Sequence, residues 1–320
     1  MKLSSREIAL TATFAALSWI ASKFVPGVPI IGAEGSKISW DVSLAPIYGI
    51  IIGPYLGFLA ALIGGLVAAG SLFTVFTSFC TGVSAFVAGM LADRERKPYG
   101  WVLSAAVIAV LLAGWYSTEV GRAAPFYTVL HVAGLLMAIS AREWIADRIA
   151  EGKAENSIAR KLNARPITLG VVCLFAGAVV YTRHEALLKI AGATEIASGV
   201  LSFMAYAMLI LGFLSAIYGV FNWIRPGFVT AIALACYCGI IADHMLGNLI
   251  FLGMINVVAP ALKELPAEGL AGIFMGVLPI TVAERVLFTA IATVIAVALL
   301  PTLRMAGIAY KKPSGQEERT

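Results

Sequence analysis

Ionisable residues are scarce in this sequence, and the few that stand inside apolar runs are where chemistry can occur. Asp243, His244 and Asn248 lie in ADHMLGN, and Glu284 and Arg285 lie in VAERVLF. On a continuous helix His244 and Asn248 share a face, while Asp243 points about 100° away from His244. Arg285 offers a planar fork of donors suited to a carboxylate or phosphate on a small molecule. An internal ion pair of Arg285 with Asp243 or Glu284, fixing a bundle, is the equal alternative. A second group is Glu34, Lys37, Trp40 and Asp41 in GAEGSKISWD. An aromatic beside opposite charges can stack on a ring and hydrogen-bond its polar edge. The other reading of this stretch, strongest for Glu34 and Lys37, is an exposed loop with an interfacial tryptophan. His184 stands in a polar loop and His131 in an apolar run without a matched partner, so both read as bland. Cys80, Cys173, Cys236 and Cys238 all sit in apolar runs, where cysteine behaves as a small hydrophobe. Cys236-Tyr237-Cys238 has one residue between its thiols and is no CxxC motif. No GxxxxGK[ST] phosphate loop is present. These features predict no cofactor, no metal and no catalytic residue.

The elements that must position these residues are membrane helices. The chain has 320 residues, 60% hydrophobic and 13% charged, and its mean hydropathy is +0.91. Soluble domains average roughly 45–50% apolar and about 25% charged. This excludes an ordinary soluble enzyme, a disordered chain and a nucleic-acid-binding domain. The expected fold is all-α, a polytopic bundle of about ten spans near 8–25, 39–52, 55–70, 73–92, 100–117, 124–141, 166–182, 199–224, 227–246 and 280–303. Gly53-Pro54 ends the short second span in a tight turn. The stretch 247–279, apolar but broken by Pro260, Pro266, Pro279 and several glycines, predicts an outer-face loop with a short or re-entrant helix. The first apolar run lacks a cleavage site and leads into more spans, so it is expected to stay as a helix.

Charge sets the orientation. With the N-terminus inside, sixteen of the 23 Lys and Arg fall on the inner side and seven on the outer. That asymmetry predicts N-in, C-in and an even number of spans in the cell membrane. It also accounts for the net charge of +5 without nucleic acid. The polar stretch 142–165 is the basic cytoplasmic loop, either a solvated connector or an interfacial helix with Trp144, Ile145 and Ile149 as its stripe. The tail 306–320 is expected to be disordered.

Residues 38–70, ISWDVSLAPIYGIIIGPYLGFLAALIGGLVAAG, join a polar start, a mid-helix proline, a Gly-Pro turn and a glycine-rich returning helix. The first span, REIALTATFAALSWIA, carries small residues at Ala9, Ala12 and Ala16. The C-terminal GVLPITVAERVLFTAIATVIAVALLPTLR enters through Leu-Pro and leaves toward a basic tail. Together these resemble the S components, the substrate-binding membrane subunits of energy-coupling factor (ECF) transporters. The resemblance implies a six-helix core from 1–97 plus 226–305, split by an inserted four-span region at 98–225. It implies that the loop with Glu34, Lys37, Trp40 and Asp41 acts as a lid, and that substrate is also met by Asp243, His244, Asn248, Glu284 and Arg285. It implies that Ala9, Ala12 and Ala16 contact the transmembrane coupling subunit, whose approach small residues permit; packing within the bundle is the alternative for this stripe. The chain would be no enzyme. It would capture a vitamin-like small molecule at the outer face and rely on partner ABC ATPases.

Two other classes compete. An ion-coupled secondary transporter would use Asp243 and Glu284 as proton carriers, but the internal symmetry common in that class is not found. A rhomboid-like intramembrane protease would need a Ser84–His244 dyad across about 160 residues.

Overall fold

A computed structural model describes residues 3–25, 27–29, 37–152 and 227–307, with a few isolated positions between 168 and 212. One compact unit comprises 1–153 and 231–320. A second, 154–230, has few described residues, and the expected spans 166–182 and 199–224 lie outside them, as do the tail from 308 and most of the basic loop.

The first unit is helical. It contains α1 (Ser5–Phe24), α2 (Asp41–Ile52), α3 (Pro54–Ala68), α4 (Leu72–Ala92), α5 (Tyr99–Ser117), the short α6 (Glu119–Ala123), a 3-10 turn Pro125–Thr128, α7 (Val129–Ala141) and α8 (Trp144–Glu151). The chain continues with α9 (Phe228–Gly253), which belongs to this unit from Ala231 onward, the short α10 (Ile255–Val258), a 3-10 turn Pro260–Leu262 and α11 (Ala267–Met305). A two-residue antiparallel ladder pairs Val28 with Ile38 and Pro29 with Lys37, joining α1 to α2.

Among the described residues α4, α5, α9 and α11 are long and apolar enough to cross a membrane. The 3-10 turn with α7, followed by α8, passes the same test as a pair bent by 72°. α2 and α3 are apolar but only 12 and 15 residues long, against the roughly 20 of a full crossing. The structure therefore shows a multi-pass helical protein without fixing ten spans or their orientation.

The ends of these helices follow from local chemistry. α1 starts in a capping box: the Glu7 amide donates to Ser4 Oγ at 3.2 Å, and the Ser4 amide donates to the Glu7 carboxylate at 2.8 Å. Ser71 and Thr74 cap α4 in the same way. Between α2 and α3 the chain reverses at Gly53, whose φ of 87° suits glycine, and Pro54 opens α3 with φ preset and no amide to satisfy.

Small residues let α2, α3 and α4 touch backbone to backbone. A Cβ on Gly49 would fall on the Ala85 carbonyl, and one on Gly57 would stand 2.6 Å from Gly49 Cα. α9 runs through the centre of the unit. Its Gly239 closes on the Ser84 carbonyl, where a Cβ would come within 2.6 Å. On another side Tyr237 Oη donates to the Leu130 carbonyl of α7 at 2.9 Å.

Two regions depart from expectation. The stretch 247–279 is not mainly a loop: α9 continues to Gly253 and α11 begins at Ala267. Pro266 stands at the N-cap of α11, where it suits a helix start, while Pro279 is carried inside the helix. An internal proline frees one carbonyl, a cost that membrane helices tolerate with neighbouring support. The Ile145 and Ile149 stripe of α8 does not face a membrane surface, because both side chains are buried and α8 packs on α4. Arg304 Nη1 donates to the Ile149 carbonyl at 2.6 Å, and Lys97 pairs with Asp147 at 2.6 Å.

Gly49→Ala is expected to lower stability by about 1–3 kcal/mol, the range for overpacking a filled contact. Gly276, beside which a Cβ would meet open space, should accept alanine with no loss or a gain of up to about 1 kcal/mol. Unfolding midpoints of the detergent-solubilised protein measure both, and equal midpoints for the two variants would contradict the close-packed assignment.

Candidate functional site

At the end of the unit where α1 ends, α2 begins, α3 ends and α4 begins, the structure encloses a cavity of about 930 Å³. α9 and α11 supply its other walls. The size suits a vitamin- or drug-sized molecule. Phe73, Tyr127, Phe251 and Phe274 give it an aromatic lining, and Thr77, Ser78 and Thr81 line it along α4.

Six of the residues singled out from sequence border this space: Asp41, Asp243, His244, Asn248, Glu284 and Arg285. Asp41 is buried at the first turn of α2, where a carboxylate suits the helix dipole, and accepts a hydrogen bond from Ser39 Oγ. Arg285 is only 2% exposed. Its Nη1 lies 3.8 Å from Asp243 on α9 and its Nη2 lies 3.4 Å from Glu284. The guanidinium also sits over the Phe288 ring, 5.3 Å from the centroid. The ion-pair reading and the cavity reading of Arg285 are therefore compatible in one geometry. Lys23 borders the cavity as an exposed residue.

The remaining residues are placed otherwise. Trp40 does not line the cavity; it meets Phe288 edge-on, at 5.6 Å and 86°, and so backs the ring beneath Arg285. Glu34 lies outside the described residues, and of Lys37 only the backbone, in the short ladder, is described. Ala9, Ala12 and Ala16 lie on the exposed face of α1, opposite the buried Thr11, Phe14, Ala15 and Ser18. No packing partner within the described residues covers that stripe.

Two residues of the site were missed by sequence reasoning. His131, fully buried on α7, has its Nε2 3.1 Å from His244 Nδ1. Tyr127 Oη lies 3.3 Å from His244 Nε2 and donates to Asn248 Oδ1 at 3.4 Å. Asn248 Nδ2 is 3.5 Å from His244 Nε2. More than 100 residues separate Tyr127 and His131 from these partners, and no local spacing signals such a contact. An aromatic cluster of Trp115, Tyr127 and Phe274, with centroids 5.0–5.3 Å apart, holds the tyrosine in place.

The protease geometry is absent. Ser84 Oγ is buried without a hydrogen-bond partner, and the His244 nitrogens face His131, Tyr127 and Asn248. Among the described residues no group of three His, Cys, Asp or Glu is placed to hold a metal ion. For binding a small molecule the site offers flat aromatic walls, hydroxyls, amide and imidazole groups, three carboxyl groups and a buried guanidinium.

Comparison with known proteins bears on the first part of the chain. The family model for the S component of ECF-type riboflavin transporters matches residues 2–141. The match runs past residue 97 through α5, α6 and α7, which the sequence reading placed in an insertion, and stops short of 226–305. An uncharacterized protein of Methanocaldococcus jannaschii is 29% identical over 115 residues, covering 34% of this chain and 37% of the relative. The chain thus spans little more than a third of that relative's length. No solved structure matches.

If Arg285 and Asp243 hold α11 to α9, Arg285→Leu should destabilise the protein by about 3–5 kcal/mol, since it leaves the buried Asp243 carboxylate unpaired. Adding Asp243→Asn should recover part of the loss. Denaturant titration of both variants in detergent measures this, and a single variant as stable as the parent would remove the ion pair from the account.

Proposed function

We propose that the chain, whose residues 2–141 match the family model for the S component of ECF-type riboflavin transporters, is the membrane-embedded substrate-binding subunit of an ECF-type ABC importer in the cell membrane. In this reading it captures a vitamin-like small molecule from outside and delivers it with a coupling membrane subunit and ABC ATPases. The observation that carries the reading is the cavity of about 930 Å³ at the helix ends remote from the chain's N-terminus. With the N-terminus inside, as the Lys and Arg distribution favours, that end faces outward.

The ligand to try first is riboflavin, because the matched family model is described by it. Its flat ring suits a wall of Tyr127, Phe251 and Phe274. Substrate contacts are assigned to Asp41, Asp243, His244, Asn248, Glu284 and Arg285, with Trp40 as a brace through Phe288. Glu34 and Lys37 belong to the loop that would cover the mouth. The small-residue stripe of Ala9, Ala12 and Ala16 leaves a flat surface on α1 for a partner helix to approach closely.

The full chain in detergent should quench flavin fluorescence saturably on titration with riboflavin. Gently purified from its own cells, it should carry a coupling subunit and ATPases, or a retained small molecule, in native mass spectra. Replacing Ala12 and Ala16 by leucine should abolish co-purification of the partners while riboflavin quenching persists. A bare monomer with no retained molecule and no riboflavin response would sink this reading in favour of a self-sufficient carrier.

A further inference from the structure

Arg285 and Asp243 line the cavity with hydrogen-bonding capacity that the protein leaves unused. Arg285 is 2% exposed and Asp243 6%, and buried polar side chains are almost always hydrogen-bonded. A guanidinium carries five N–H donors and no acceptor. Among the described residues Arg285 makes a single hydrogen bond, from Nη2 to Glu284 at 3.4 Å, beyond the 2.7–3.2 Å of a good N–H···O bond. Its Nε is buried without a partner. Phe288 takes one face of the guanidinium but none of its N–H groups. Asp243 is no better served. Its carboxylate lies 3.8 Å from Arg285 Nη1, close enough for charge attraction and too far for a hydrogen bond. It accepts no hydrogen bond from any described residue.

The open capacity is therefore of two kinds side by side, donors on Arg285 and acceptors on Asp243. That limits what can complete it. A carboxylate or phosphate would take up the donors but meet the charges of Asp243 and Glu284, which already flank Arg285. An ammonium or amidinium would satisfy Asp243, leave the donors of Arg285 open and stand beside a like charge. A group with one C=O and one N–H on the same edge satisfies both and adds no charge. We infer that Arg285 and Asp243 form a two-point receptor for a neutral amide-type edge of the ligand, a carboxamide, lactam or imide, with Arg285 donating to its C=O and Asp243 accepting from its N–H. The pair thereby selects against the anions that an arginine in a cavity ordinarily attracts. The inference rests on the reading of the cavity as the ligand site.

Three probes of one shape test it. On the same flat ring benzamide presents one acceptor and one donor, benzoate two acceptors, and benzamidinium donors alone. The rise in unfolding midpoint of the full chain in detergent at neutral pH, titrated with each probe, gives the affinities. Benzamide should bind about tenfold more tightly than either charged probe, the worth of one good hydrogen bond. Asp243→Asn keeps the shape, removes a charge and sets an amide donor beside the guanidinium, and in that variant benzoate should draw level with benzamide or pass it. If the variant does not fold, the order in the parent decides alone. Benzoate bound as tightly as benzamide in the parent would overturn the inference in favour of an anion site at Arg285. Benzamidinium bound as tightly would overturn it in favour of a cation site at the carboxyl groups. The parent's order retained in Asp243→Asn places the probes elsewhere and overturns it too, as does binding of none of them. Riboflavin quenching decides separately whether the cavity is the ligand site.

Discussion

A guanidinium buried in an apolar bundle constrains everything around it. Removing an ion from water costs several kcal/mol even after relaxation, so Arg285 cannot occupy its place on α11 without partners. Asp243 and Glu284 stand beside it, and Phe288 and Trp40 close the space behind. Because Asp243 belongs to α9, this arrangement fixes the rotation of α9 against α11. The next residue, His244, then points about 100° around the helix, toward His131 and Tyr127 of the neighbouring wall. One helical turn thus serves the ion cluster on one side and the cavity's hydrogen-bond array on the other.

The cavity exists because helices end there. α2 and α3 are short, and their glycine contacts with α4 draw the backbones together at the opposite reach of the unit. Helix ends carry unsatisfied amides and carbonyls that require polar partners. At this end the partners are Ser71 and Thr74 for α4 and Asp41 at the start of α2. Some of the polar lining is therefore the ordinary chemistry of helix termini, and it offers a ligand hydrogen-bonding groups that the middle of the bundle lacks. Non-helical backbone at such depth is sustainable where it borders a cavity.

Periodic, local features were legible in the sequence. α4, α5 and α7 lie where apolar runs and polar punctuation place them, and Gly53-Pro54 makes the expected reversal. Long-range features were not. The pairing of His131 with His244 depends on how α7 and α9 lie side by side, which no spacing encodes. Pro279 and the glycines before it read as breakers, because propensity describes an isolated chain, while neighbouring helices support α11 through them. Ile145 and Ile149 read as an interfacial stripe because burial against protein and burial in lipid select the same side chains.

The match to the S-component family and the densest polar chemistry fall on different parts of the chain. Residues 2–141 supply α1 to α7, with the alanine stripe of α1, the aromatic Tyr127 and the hydroxyls of α4. Asp243, His244, Asn248, Glu284 and Arg285 come from α9 and α11, past the matched segment. A description that fits the first set speaks for the scaffold and for one side of the cavity. It does not carry over to the groups that would read a ligand's polar edge. Those groups are nonetheless not independent of the scaffold, since His131, inside the matched segment, lies 3.1 Å from His244 outside it. The His131–His244 contact is then a joint between the two parts, and a change on either side of it bears on how α7 and α9 meet behind the cavity wall.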